Sequence, residues 1–289
     1  MKAAVRAVRR LSVCQWSGSP VPYGQALELQ HALMSKRRSG EIGDTLVVLE
    51  HAPVYTVGKR GQLSDFLEPS ALSDADVFTI PRGGETTFHG PGQVVLYPII
   101  SLREAGLGAR AFVEGLEDTM IRVLGAHGIA AKGRQKCRTG VWVGSHKVGA
   151  VGVRISHGVS THGLALNVAP ELARYEGIVA CGLASGSTDS MAGLLGSAPD
   201  VRRVAGECVA AFAHVFSYAS VEEGPSVEAA VETHVRLGNG VCPRDRSEAA
   251  GQSPLFEDFG KQVHAADFER LRKEAGISPP RSSAACLVR

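Results

Sequence analysis

The spacing of apolar and polar positions divides the chain into short strands and a few amphipathic helices. Residues 11–16 (LSVCQW) read as a strand, and 23–37 has helical spacing, with Leu27, Gln30, His31 and Met34 near one stripe. The β-branched apolar run 45–49 (TLVVL) predicts a buried strand, and 77–80 and 93–99 read as two more. A long amphipathic helix is predicted over 110–127 through Phe112, Val113, Leu116, Met120, Val123 and Leu124, with Gly128 placed to stop it. The runs 141–143, 147–155 and 159–168 are separated by glycine-rich breaks, which predicts an antiparallel meander. Helical spacing returns at 190–195 and 201–216, and Cys208 inside the latter reads as core.

Strands cluster instead of alternating strictly with helices, so the expected class is α+β, a mixed β-sheet packed by helices. Three regions are expected: a basic tail or short targeting segment at 1–10, a body at 11–221, and a C-terminal appendage at 222–289. Acidic, Pro, Gly and Ser content rises in that last region, which marks it as a mobile segment dispensable for chemistry. Helices are predicted within it at 226–237 and 263–275.

Charge and cysteine usage narrow the function classes. The 289 residues carry 31 basic and 29 acidic side chains, a net +2, so neither nucleic-acid nor membrane binding is expected from bulk charge. No apolar run approaches the roughly 18 residues that span a bilayer. The six cysteines, at 14, 137, 181, 208, 242 and 286, show no C-x-x-C and no zinc spacing, so no structural metal is expected. Scattered thiols in a chain of this length indicate a reducing compartment. Lys2, Arg6, Arg9 and Arg10 precede any acid, which fits either an organelle transit peptide or a basic tail. The 34 glycines and few aromatics fit tight turns around a groove for an extended ligand.

Candidate chemistry falls in three segments. In Arg82-Gly-Gly-Glu-Thr-Thr-Phe-His-Gly-Pro-Gly-Gln93, turn-forming residues frame an Arg, two Thr and a His, so one loop can present backbone and polar groups to a ligand. No Gly-Lys-Ser/Thr follows, which excludes a Walker loop, and a plain hairpin turn is the other reading. Lys147 lies in a run otherwise Gly and apolar, where desolvation disfavours the ammonium form and makes a candidate base. Snorkelling from a hairpin start is the alternative. Thr161-His162-Gly163 puts another His in a strand. Cys181, followed by Gly182, is a sterically open thiol of the kind that serves as a nucleophile.

Taken in order, Arg82-Gly-Gly-x-x-Thr-x-His-Gly-Pro-Gly-Gln, Lys147-x-x-Ala-x-Gly-Val, His162-Gly-x-x-Leu-Asn and Ile178-x-x-Cys-Gly resemble the lipoyl(octanoyl) transferase family of lipoate biosynthesis. Tyr23-x-x-Ala-Leu-x-Leu-Gln30 and Glu50-His-x-Pro-Val-Tyr-Thr-x-Gly58 resemble that family's opening helix and loop. The resemblance covers about residues 11–220. It implies a fold shared with biotin and lipoate protein ligases, and transfer of an octanoyl group from octanoyl-acyl carrier protein through a Cys thioester to the target lysine of lipoyl domains. It implies Cys181 as nucleophile with Lys147 as its acid–base partner. Substrate-binding residues implied are Arg82, Gly83, Gly84, Glu85, Thr86, Thr87, Phe88 and His89, then Ala150, Val151 and Gly152, then His162, Gly163 and Leu164. Amides near Gly182 or in the 82–92 loop are the expected oxyanion donors. Arg82 and His89, read as loop residues, are expected to matter for donor use more than for stability.

The family usually has Pro before the nucleophile, where this chain has Ala180; Pro would restrict that loop. Neither ATP nor a metal is expected as cofactor. The implied acceptors are lipoyl domains of 2-oxoacid dehydrogenase complexes and the glycine cleavage H protein, with the enzyme a monomer. The compartment is the cytoplasm in a bacterium and the mitochondrion or plastid in a eukaryote. An ATP-dependent lipoate–protein ligase of the same fold and a non-catalytic lipoyl-domain binding module remain as alternatives, and a Cys181–His162 hydrolase is a third.

Overall fold

The computed structural model describes residues 8–67, 75–135, 138–179, 187–236 and 262–263. In chain order these form β1 (Arg10–Gln15), α1 (Tyr23–Ser39), β2 (Asp44–Leu49), β3 (Val54–Val57), β4 (Asp76–Thr79), β5 (Thr86–His89) and β6 (Gln93–Ile99). There follow α2 (Leu102–Ala105), α3 (Ala109–Ala126), β7 (Val141–Val143), β8 (His146–Ser156) and β9 (Val159–Asn167). The chain continues with α4 (Met191–Leu195), α5 (Val201–Val215), β10 (Ser220–Glu223), α6 (Val227–Val231) and β11 (Gln262–Val263).

The strands build two sheets. The larger has the order β10-β1-β2-β6-β9-β8-β7, and the smaller β11-β4-β3-β5. In the larger, β1 runs parallel to both β10 and β2, while β2, β6, β9, β8 and β7 follow antiparallel. The expected mixed sheet and the meander at 141–168 are both observed. Every position of β2 and β6 is buried, which requires cover on both faces. Helices α1 with α6 and α3 with α5 pack against this sheet and supply that cover. A separate apolar cluster of Tyr55, Val57, Phe66, Val77, Phe88 and Ile178 holds the small sheet. Helix starts follow local chemistry, since Ser101, Ser190, Asp200 and Ser226 each accept a backbone N–H of the following turn. Gly128, at φ +76°, follows α3 as expected.

Several expectations need correction. The boundary at 222 falls inside β10, which pairs with β1 through Ser220↔Arg10 to Glu223↔Val13. Beyond it Val227, Ala230 and Val231 are buried, so the body reaches Arg236 and this segment contributes three side chains to its core. At the other end, Arg9 is not a free tail residue: its guanidinium bonds Asp44 Oδ2 at 2.8 Å, Phe216 O at 2.9 Å and Tyr218 Oη at 2.6 Å. The helix expected at 263–275 opens in β11, where Val263 pairs with Val77, and its remainder lies outside the described residues. Strands β3 and β5 were not anticipated. Among the described residues no helix is long and apolar enough to cross a membrane.

Candidate active site

The two sheets meet at a seam where Gly83 N–H donates to Val153 O at 3.0 Å. A cavity of about 440 Å³ opens there, within the range of about 300–1,000 Å³ typical of small-molecule sites. Arg82, Gly84, Glu85, Thr87 and His89 line it from the small-sheet side, and Ala150 to Gly152 with His162 to Ala165 line it from β8 and β9. Tyr23, Val95, Tyr97 and Trp142 complete the buried wall, while Arg60, Arg138 and Thr139 are exposed lining residues at its mouth.

Backbone close approach explains the glycines. A β-carbon on Gly152 would stand 2.9 Å from Gly83 O, and one on Gly163 would run into Leu96 O and stand 2.7 Å from Pro98 Cδ. Both sites admit only hydrogen at Cα without backbone movement. His162, beside Gly163, has φ +55°, and its N–H donates to Gln30 Oε1 on α1 at 2.7 Å. The β6–β9 pairing runs from Gln93↔Asn167 to Leu96↔Leu164, short of His162. Gln30 thus supplies the acceptor where the strand turns aside.

The histidine rings in the cavity wall, and His51 behind it, are held neutral. His51 has one nitrogen 3.0 Å from Val21 O and the other 2.6 Å from Tyr97 Oη, so Nδ1 carries the proton and Nε2 accepts from the phenol. Burial pushes His51 down to about 4. His89 Nδ1 donates to Gln93 Oε1 at 2.6 Å; burial, then His51 and the Arg82 guanidinium, pushes it down to about 3. Burial and then the Arg82 charge hold His162 well below the ordinary histidine range. Gln93 Nε2 donates to Asn167 Oδ1 at 2.8 Å, Asn167 Nδ2 to Asp189 O at 3.0 Å, and Asp189 N–H to Lys147 O at 3.0 Å. One hydrogen-bonded chain therefore links His89 to the strand that carries Lys147, and it assigns roles to Gln93 and Asn167, motif positions to which sequence reasoning gave none.

Lys147 is buried within β8 and lines the cavity, so it does not snorkel. Its stem crosses Gly140, where a β-carbon would come within 2.7 Å of Cε, and its Nζ lies 5.7 Å from the Trp142 ring centroid. Gly140 has φ +121° and is held by Glu117, a buried carboxylate on α3. Glu117 Oε1 accepts Gly140 N–H and Oε2 accepts Arg134 N–H, each at 2.7 Å. Cys181 and Ala180 lie outside the described residues. The chain on either side is fastened to the site: Val179 N–H donates to Asp65 O at 2.6 Å, and Lys147 N–H donates to Ser187 O at 2.8 Å.

Of the fourteen expected binding residues, eleven line the cavity; Gly83, Thr86 and Phe88 do not. The correction follows from β5. Residues 86–89 are a buried strand, so alternation turns Thr87 and His89 to the cavity and Phe88 to the cluster of Tyr55 and Tyr175. Gly83 is taken up in the seam. Its N–H and that of Gly92, which donates to Glu50 Oε1 at 2.7 Å, are committed and cannot serve as oxyanion donors. Arg82 is buried, with Nη2 bonding Thr56 O, Thr56 Oγ1 and Glu85 O and Nη1 bonding Gly83 O. It braces the small sheet beside the seam, and His89 lies in a buried strand, so neither is the loop residue on which the expected excess of donor use over stability was based. Arg60, Arg138, Trp142 and Glu117 were missed, because their roles depend on contacts distant in sequence. Among the described residues no group of three His, Cys, Asp or Glu could hold a metal.

The fold is that of the lipoate protein ligases. The chain is similar to lipoate-protein ligase A bound with ATP at a TM-score of 0.63, with 11% identity, covering 78% of this chain and 93% of that one. It is similar to the bi-partite lipoate protein ligase of Thermoplasma acidophilum at 0.59, again with 11% identity, covering 78% and 91%. Likeness at this identity shows the fold alone. In sequence, residues 22–213 match the lipoyl protein ligase A/B catalytic domain. The mitochondrial octanoyltransferase LIP2 of Arabidopsis thaliana is 44% identical over 229 residues, covering 77% of this chain and 97% of that protein. The octanoyltransferase of Chloroflexus aggregans is 43% identical over 202 residues, covering 68% and 91%. The chain belongs to the lipoyl protein ligase A/B catalytic domain family, and within it to the octanoyltransferases.

Proposed function

We propose that this chain moves an octanoyl group from the thioester of acyl carrier protein to the lysine amine of lipoyl domains, through a thioester on Cys181 and without ATP or metal. The observation that carries the reading is the placement of Lys147. It is buried at the cavity wall, and its backbone pairs with Ser187 and Asp189, the segment that follows Cys181.

In the first half-reaction the Cys181 thiol gives its proton to Lys147 and attacks the thioester carbonyl; the donor thiol leaves and takes a proton back. In the second, the acceptor amine attacks the acyl-enzyme and gives a proton to Lys147, an amide forms, and the Cys181 thiolate leaves and takes that proton back. The net amide is more stable than either thioester, which draws the sequence forward. The neutral rings of His89 and His162 leave the cavity wall without ionised histidine, which suits an uncharged acyl chain.

Intact-mass analysis after incubation with octanoyl-acyl carrier protein tests the reading. An octanoyl adduct on the wild-type chain, absent from Cys181→Ser, and subsequent transfer to a lipoyl domain are expected. An adduct that survives in Cys181→Ser, or transfer that requires ATP and free octanoate, overturns it.

A further inference from the structure

The buried lining of the cavity holds Tyr23, His89, Tyr97 and His162 together with two cations, Lys147 and Arg82, and the Arg82 guanidinium is already taken up by Thr56, Gly83 and Glu85. Its exposed lining adds two further guanidinium groups, Arg60 and Arg138. These come from different sheets. Arg60 follows β3 in a turn fastened to the seam, with its N–H on Gly84 O at 3.1 Å and the neighbouring Lys59 N–H on Arg82 O at 3.0 Å. Arg138 precedes β7. Its Cζ lies 3.9 Å from the centroid of the buried Trp142 ring, and its carbonyl accepts Trp142 Nε1–H at 3.1 Å.

Neither guanidinium is tied up. Among the described residues Arg138 has no carboxylate partner. Arg60 reaches Glu85 Oε1 only at 3.4 Å and is 69% exposed, a pairing worth little in water. Both backbones are held, so two planar forks stand at the mouth with little ordering left to do. Guanidinium forks match phosphate oxygens in a way an ammonium does not. A ligand that runs from the cavity out past these two forks is therefore matched by an anionic group where it leaves the mouth.

We propose that Arg60 and Arg138 form an anion subsite for the phosphodiester that joins the donor's pantetheine arm to its carrier protein. The inference rests on the donor assigned above and goes beyond it by naming the group that the mouth binds.

Acylation of Cys181 in a single turnover, read by quenching and intact mass, tests this with three donors: octanoyl-acyl carrier protein, S-octanoyl phosphopantetheine, and S-octanoyl pantetheine, which lacks the phosphate. Arg138→Gln and Arg60→Gln should each lower the second-order acylation rate about tenfold with both phosphate-bearing donors, as expected for loss of one hydrogen bond to a charged group. With S-octanoyl pantetheine the rates should stay within about twofold of wild type, and Arg138→Lys should recover part of the loss. Transfer from pre-acylated enzyme to a lipoyl domain should be unchanged. Equal losses with all three donors, or no loss with any, overturn the subsite. Loss with the carrier protein alone assigns these arginines to the carrier's surface, and loss confined to the transfer half-reaction assigns them to the acceptor; either result overturns it too. A wild-type chain that forms no Cys181 adduct overturns the donor reading as well, whereas a normal wild-type adduct with donor-independent losses overturns the subsite alone.

Discussion

Glu117→Gln isolates the clamp under Lys147. The carboxylate is 2% exposed and accepts one N–H on each oxygen, from Gly140 and from Arg134, both at 2.7 Å. Glutamine keeps the shape, but its amide nitrogen must face one of the two donors. A hydrogen bond to a charged group contributes about 1.5–3 kcal/mol, and a stranded buried N–H costs about 1–3 kcal/mol. Weakening of the surviving bond and relaxation of the loop partly offset one another, so a loss of about 3 kcal/mol is expected. At about 2–4 °C per kcal/mol for a chain of this size, thermal melting should fall by about 6–12 °C. Because Gly140 carries the Lys147 stem across its α-carbon, transfer measured at 25 °C, where the variant is still folded, should slow as well. Melting by calorimetry and single-turnover acylation are the two assays. A variant that melts within about 2 °C of wild type would refute the clamp.

Four further outcomes are expected. Gly163→Ala must force β9 from β6 against backbone, a cost of at least about 2 kcal/mol, and an unchanged urea midpoint would contradict the close approach. Lys147→Ala should slow transfer by about 10²–10⁴-fold, and adding it to Cys181→Ser should cost little more, since both act in one step; wild-type turnover in Lys147→Ala sinks the dyad. A chain ended after Val221 should fail to fold, because Val227, Ala230 and Val231 are core, whereas one ended after Arg236 should give a cooperative melt; equal behaviour in circular dichroism would contradict this. His51 and His89 are held neutral when folded, at about 4 and about 3, so below about 6.5 the unfolded chain takes up protons that the folded chain refuses. Stability should therefore fall as pH drops from 6.5 to 4.5, by up to about 1.4 kcal/mol per unit per ring. Urea midpoints that stay flat from pH 7 to 5 would rule this out.

What was legible in the sequence depended on how local its cause was. Strands β1, β2, β6, β8 and β9 and helices α1, α3 and α5 announce themselves because each carries a local signal, an apolar run in β2 and β6 and an apolar stripe in α3 and α5. Strands β3 and β5 have four residues each, too few for a period, and β5 lies among glycines. The end of the body was misplaced for a related reason: Ser220–Glu223 is polar and exposed, and is a strand only because β1 lies beside it. Lys147 and His162 stood out as polar residues in apolar runs. Glu117 did not, because a carboxylate on an amphipathic helix reads as a solvated face until the loop at 134–140 folds over it.

Gly83 and Gly84 were read as turn formers that let one loop present groups to a ligand, yet with Gly152 the seam shows two backbones drawn together. Gly83 N–H bonds Val153 O across the seam, and the space a β-carbon would need on Gly152 is filled by Gly83 O and Arg82 Cδ. Arg82 lies beside the same seam and bonds Thr56 O on β3 and Glu85 O just before β5, so its charge is spent on structure while its field reaches the cavity. That field helps to keep His89 and His162 neutral, which in turn lets His89 hold its one proton on Nδ1 toward Gln93. From Gln93 the hydrogen bonds run through Asn167 and Asp189 to Lys147. His89, Gln93, Asn167 and Asp189 are thus parts of one polar framework, and Lys147 lies at its far end.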